Sequence, residues 1–165
     1  CIMTMQYDVK SSHVTTSKTV TSAAVRLKSI TVSPATASRR SSVVADPTVF
    51  KSGTYARVAL STTLTATVTA HGLETGDRVF MNFTTGTAVN GVYAITKTNA
   101  NVFTITTAAS SATTGDVTFY SSILLEVDTY NIIGLPIMVP GEGIYCKNGI
   151  FVGVGGSVTA TVFYG

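Results

Sequence analysis

Three observations predict an all-β fold for this 165-residue chain. Thr and Ser number 29 and 16, and Thr is β-branched, which suits strands and disfavours helices. Apolar and polar residues alternate with period two in several stretches, as in VRLKSITV (25–32) and VTATVFY (158–164). No stretch carries a long 3.6-residue apolar period. Within that class the expected architecture is a jelly-roll-like β-sandwich carrying an inserted small SH3-like β-barrel. The sandwich is assigned residues 1–55 and 121–165, and the insertion residues 56–120.

The elements follow in order. Met5 to Val9 reads as a short strand. Ser11 to Ser22 is hydroxyl-rich and reads as either a flexible arm or an extended edge strand. Val25 to Val32 alternates, with Val25, Leu27 and Ser29 on one face and Arg26, Lys28, Ile30 and Val32 on the other. Pro34 ends it, because proline cannot continue a hydrogen-bonded ladder. Ser41 to Ala45 and Thr48 to Lys51 are short strands separated at Asp46-Pro47.

From Ala56 the texture changes. Leu64–Thr69, Arg78–Phe83, Val92–Thr96, Val102–Thr106 and Val117–Tyr120 are five short strands separated by Gly- and Asn-bearing turns. Each is too short to bury much alone, and a closed barrel pairs all their edges. Ile123 to Val127 resumes the first texture, and Ile132 to Val139 leads into the last segment. There Ile144–Lys147, Asn148-Gly149 and Ile150–Val154 read as a hairpin, since Asn-Gly favours a tight primed turn. The closing strand presents Val158, Ala160, Val162 and Tyr164 on one face.

Composition narrows the function classes. Charged residues make up only 12%, about half the usual share. No apolar run approaches the roughly 20 residues of a membrane span, and no secretory signal is read in the short apolar start. The charge is uneven. Residues 1–57 hold eight basic and two acidic residues, and residues 58–165 hold three basic and six acidic. The basic third is either a face that docks on an acidic partner or a solvated face that maintains solubility. Arg26, Lys28, Arg39 and Arg40 are its candidate partner contacts. The basic residues lack the interleaved aromatics of a nucleic-acid stacking platform, so no direct nucleic-acid contact is expected.

Reactive chemistry is sparse, and no catalytic, cofactor-binding or metal-binding residue is assigned. Cys1 and Cys146 cannot make a disulfide framework or a zinc site. Cys146 reads as a small buried hydrophobe and Cys1 as a free thiol, consistent with a reducing cytoplasm. His71 lies near Glu74 and Asp77 in a Gly-rich turn, where capping of the turn is the expected role. Asp77 is expected to accept turn N–H bonds. Glu142, between two glycines, lacks the second carboxylate that paired acid–base work requires. Gly153-Val154-Gly155-Gly156 lacks the Lys-Ser/Thr of a phosphate loop.

Two segments carry a resemblance. ATVTAHGLETGDRVFMNF with GTAVNGVYAITKTNANVFTIT (within 66–106) resembles a small β module that recurs in tailed-bacteriophage structural proteins. RLKSITV (26–32), VPGEGIYCKNGIFVGV (139–154) and VTATVFYG (158–165) resemble a family of small phage proteins with an RLKGIYV-like strand, a PGEGI turn and a VTVFYG-like end. The frame departs from that family's usual shortness because it carries the insertion. The resemblance implies a non-enzymatic virion structural protein, assembled in the host cytoplasm. The preferred role is capsid decoration, or cementing, by subunit packing. A tail component (fibre, tail-tip or adaptor) and a host-surface glycan-binding module are the alternatives. The implied partners are the major capsid protein or other virion proteins, and further copies of the chain, a trimer suiting threefold capsid positions. No membrane partner is implied.

Overall fold

A computed structural model describes residues 9–34, 40–108, 110–129, 134–156 and 158–165. They form fifteen strands and no helix: β1 (Lys10–Val14), β2 (Lys18–Thr21), β3 (Val25–Pro34), β4 (Arg40–Ala45), β5 (Phe50–Arg57), β6 (Thr63–Thr67), β7 (Arg78–Phe83), β8 (Gly91–Lys97), β9 (Val102–Thr106), β10 (Thr113–Tyr120), β11 (Ile123–Thr129), β12 (Leu135–Met138), β13 (Ile144–Cys146), β14 (Ile150–Val154) and β15 (Val158–Tyr164). The all-β expectation is met. Most of the Met5–Val9 segment lies outside the described residues.

The strands make two open sheets and a closed barrel. The first sheet runs β1-β15-β3-β12, with β13 also on β3; the second runs β11-β4-β14-β2. The barrel closes in the order β10-β5-β6-β9-β8-β7. All the strand pairings among the described residues are antiparallel, which suits a chain of short connections. The Ser11–Ser22 stretch takes the edge-strand form: β1 lies against β15, and β2 lies against β14.

The two open sheets face each other across one core. Leu27, Ile30 and Val32 of β3 and Val158, Ala160 and Val162 of β15 meet Val44 of β4 and Ile150, Val152 and Val154 of β14. Each such side chain, fully buried, contributes about 1.5–3 kcal/mol relative to exposure. Strict alternation would put Leu27 and Ile30 on opposite faces of β3. A β-bulge reconciles them: Phe163 faces Ser29 while Tyr164 faces Leu27, so Lys28 has no register partner in β15. The extra residue shifts the side-chain phase and turns both apolar runs inward.

The centre of the second sheet is buried on both faces, which is why IFVGV in β14 is apolar throughout and buried at every position. Its other face, with Val43, Ala45 and Phe151, packs against Phe80 of the barrel. Tyr120 stacks on Phe151 at 3.7 Å between ring centroids and 14° between planes. Gly153 lies directly under Phe80; a Cβ there would stand 2.5 Å from the ring. Arg78 of β7 adds an ion pair to Glu126 of β11, at 2.6 Å. The chain enters and leaves the barrel side by side, because the Asp46 N–H donates to the Ser122 carbonyl at 3.0 Å.

Two expectations are corrected. The Asn148-Gly149 segment does turn the chain, with the Gly149 N–H donating to the Cys146 carbonyl at 3.3 Å. However, the flanking strands do not pair with each other. β13 joins β3 in the first sheet, and β14 joins β2 and β4 in the second. The turn is a corner between sheets: its two arms pair with different strands instead of with each other. Secondly, Thr48–Lys51 is no separate short strand. Phe50–Arg57 is continuous and is the barrel's sixth strand, paired with both β6 and β10. Its Lys, Ser and Gly mask the alternation that places Tyr55 and Arg57 inward.

Candidate interaction surface and polar sites

The rim formed by β12 and β13 is the most exposed apolar part of the first sheet. Both strands pair only with β3 among the described residues. Ile137 faces Ile30 on the core side, so Met138 points the other way and is 74% exposed. Tyr145, 57% exposed, shares that outer side. Between these strands Val139-Pro140-Gly141-Glu142-Gly143 loops out opposite the β3 bulge.

Two of the candidate contact residues hold this loop in place. Lys28 Nζ donates to the Glu142 carbonyl at 3.1 Å, and Arg26 Nη1 to the Gly143 carbonyl at 3.4 Å. The Arg26 guanidinium also lies 5.6 Å from the centre of the Tyr145 ring, a cation–π arrangement. Gly143 is required by geometry: its φ is +84°, and a Cβ would stand 2.3 Å from the Leu27 carbonyl oxygen. Thus the basic pair, the aromatic ring and the loop form one preorganised feature on the outer side of the sheet. Glu142 meets Lys28 through its backbone carbonyl. Arg39 lies outside the described residues. Arg40 begins β4, and only its backbone is described.

The barrel's polar turn is a closed hydrogen-bond system. His71 is 3% exposed. Its Nε2–H donates to the Asn99 carbonyl at 2.8 Å, and its Nδ1 accepts the Leu73 N–H at 3.0 Å. These partners select the Nε2–H tautomer and occupy both ring nitrogens. Phe103 meets the ring edge-on at 5.2 Å. Asp77 Oδ2 accepts the Glu74 N–H at 2.8 Å, the turn-capping role expected of it. Glu74 pairs with Lys97 at 2.5 Å. No group of three or more His, Cys, Asp or Glu among the described residues is placed to hold a metal ion.

At the junction, burial tends to raise the Asp46 carboxyl. Hydrogen bonds from the Thr48 hydroxyl and amide and from Asn148 outweigh it and hold the group below its ordinary value of 3.8. The distances are 2.7 Å to the hydroxyl, 2.8 Å to the amide and 2.7 Å to Asn148 Nδ2. Asn148 thereby ties the corner turn to the start of the barrel. Cys146 is buried in the core, and that burial pushes its thiol above the ordinary 9.0.

Arg57 is the polar residue that sequence reasoning missed. It sits at the inward parity of β5 shared with Tyr55 and is only 7% exposed. Nη1 donates to Thr107 Oγ1 at 3.0 Å and to the Ala108 carbonyl at 3.2 Å; Nη2 donates to the Ser111 carbonyl at 3.2 Å. It lines an open cleft of about 350 Å³ with Thr87, Val89, Tyr93, Thr106 and Ser110. The available signal was its spacing of two from Tyr55.

Comparisons with protein-family models, curated proteins and solved structures return no match.

Proposed function

We propose that this chain is a bacteriophage virion structural protein that decorates and cements the capsid by packing. In this reading the two open sheets are a jelly-roll-like sandwich, and the barrel, whose first strand begins at Phe50 rather than near Ala56, is an SH3-like module inserted into it. The observation that carries the reading is the β12–β13 rim. It combines a strand edge that is unpaired among the described residues, exposed Met138 and Tyr145, and a loop whose carbonyls accept hydrogen bonds from Arg26 and Lys28. Unpaired edges and aromatic anchors next to arginine are the usual materials of subunit contacts. Gly143 and the two basic side chains hold the loop before binding, so little ordering cost is left to the contact.

A standard interface takes about 800 Å² from each partner, roughly a tenth of this chain's 8704 Å² of surface. Several such contacts per subunit, to the major capsid protein and to further copies of the chain, can therefore coexist. Many modest contacts acting together raise the barrier to shell disruption through multivalency. The resemblance of the PGEGI turn and of the AHGL and TGD turns to phage structural proteins supports the virion assignment.

Stoichiometry in purified particles tests the proposal. A copy number comparable with that of the major capsid protein is expected. A handful of copies confined to the tail would overturn the decoration role, and absence from the particle would overturn the virion assignment.

A further inference from the structure

The cleft at Arg57 joins three observations. First, the guanidinium is buried, yet its hydrogen-bond partners among the described residues are neutral: a threonine hydroxyl and two carbonyls. No carboxylate pairs with it among the described residues. Secondly, its Nε is buried with no hydrogen-bond partner. A desolvated cation with neither a counter-charge nor a complete set of acceptors is costly. Thirdly, this cation borders an open cleft, whose volume of about 350 Å³ lies at the small end of ligand pockets, where a single sugar-sized molecule fits.

The lining points to what such a ligand presents. Thr87, Thr106 and Ser110 carry hydroxyls that both donate and accept. Tyr93 and Val89 form an apolar side, held together by the Tyr93 hydroxyl donating to the Val89 carbonyl at 2.7 Å. Arg57 lies at the end of β5 away from the junction at Phe50, about 20 Å along the strand. The packed sheets therefore do not occlude the cleft.

We infer that this cleft binds a sugar acid, with the carboxylate drawn to Arg57, ring hydroxyls meeting the threonine and serine hydroxyls, and the ring's apolar face on Val89 and Tyr93. The inference does not depend on the virion assignment, and a protein from any source could use the site. The charge-assisted contact supplies selectivity for the acid over the neutral sugar.

Titration of isotope-labelled protein with D-glucuronate, followed by amide NMR shifts, tests it. Saturable shifts at Thr87, Thr106 and Ser110 are expected, with a dissociation constant of about 1 mM. D-glucose should bind at least about tenfold more weakly, and Arg57→Gln should weaken glucuronate binding by about the same factor. Because Arg57→Gln can disturb folding, Val89→Trp serves as a second variant. It fills the cleft from a half-exposed position and should abolish the shifts while the spectrum stays dispersed. Equal binding of glucose, no saturable shift with glucuronate, unchanged binding in Val89→Trp, or inorganic phosphate binding more tightly than glucuronate would each overturn the assignment.

Discussion

Gly153→Ala probes the contact between barrel and sheet at its tightest point. The added methyl would lie 2.5, 2.6 and 2.8 Å from Cε1, Cζ and Cδ1 of Phe80, against an optimum of about 3.5–4.0 Å for carbon pairs. The ring would have to retreat by about 1 Å. It has little room, because Phe80 is fully buried and Phe151 stands 6.0 Å away, itself stacked under Tyr120. Such overpacking costs about 1–3 kcal/mol. The backbone at Gly153 does not take a positive φ. Without the clash, alanine would therefore gain about 0.5–1 kcal/mol over glycine in a strand. Phe80→Ala alone should cost about 3–5 kcal/mol. In the Phe80→Ala background the sign of Gly153→Ala should then reverse, from destabilising to neutral or stabilising. Urea denaturation of the four proteins measures this as a coupling energy above about 1 kcal/mol. Additivity within about 0.5 kcal/mol would refute the claim that the barrel's ring rests on the glycine.

Three further outcomes are expected. Asp46 has a depressed folded-state carboxyl, so its contribution to stability is fully present above its unfolded value of 3.8 and is lost as pH falls through the lower folded value; urea midpoints across acidic pH should show a shallower decline for Asp46→Asn than for wild type. Cys146 is buried with a raised thiol, so in a Cys1→Ser background a thiol reagent at pH 8 should modify it only as fast as the protein opens; fast labelling of the native state would contradict its burial. Gly143→Ala should cost about 1–3 kcal/mol, since the residue holds a positive φ against the Leu27 carbonyl; thermal melts measure the loss, and a neutral result would show that the loop relaxes freely.

Strand positions were largely legible in the residues. The period-two pattern of VTATVFY yields the buried Val158, Ala160 and Val162 directly. The short strands between glycine turns at residues 64–106 appear close to where the pattern places them. Partners were not legible. Asn148-Gly149 announces a reversal, but a turn restricts only a few dihedral angles and does not choose which sheet edge each arm meets. The sixth barrel strand was hidden because the side that carries Tyr55 also carries Lys51, Gly53 and Arg57, so its apolar alternation is weak. Arg57 looked like one more surface charge for the same reason. Its burial depends on residues 107–111, some fifty positions away.

The covalent chain therefore settles what is local. Hydroxyl-bearing and β-branched residues hold the backbone extended, glycine and asparagine place the turns, and alternation marks which side chains turn inward. Long-range packing settles the rest: the bulge at Lys28 that aligns Leu27 with Ile30, the separation of β13 from β14, and the covering of Phe151 by the barrel. These depend on which distant surfaces meet once the strands exist. That choice minimises exposed apolar area and unpaired edge groups over the whole molecule, quantities that no short window of residues contains.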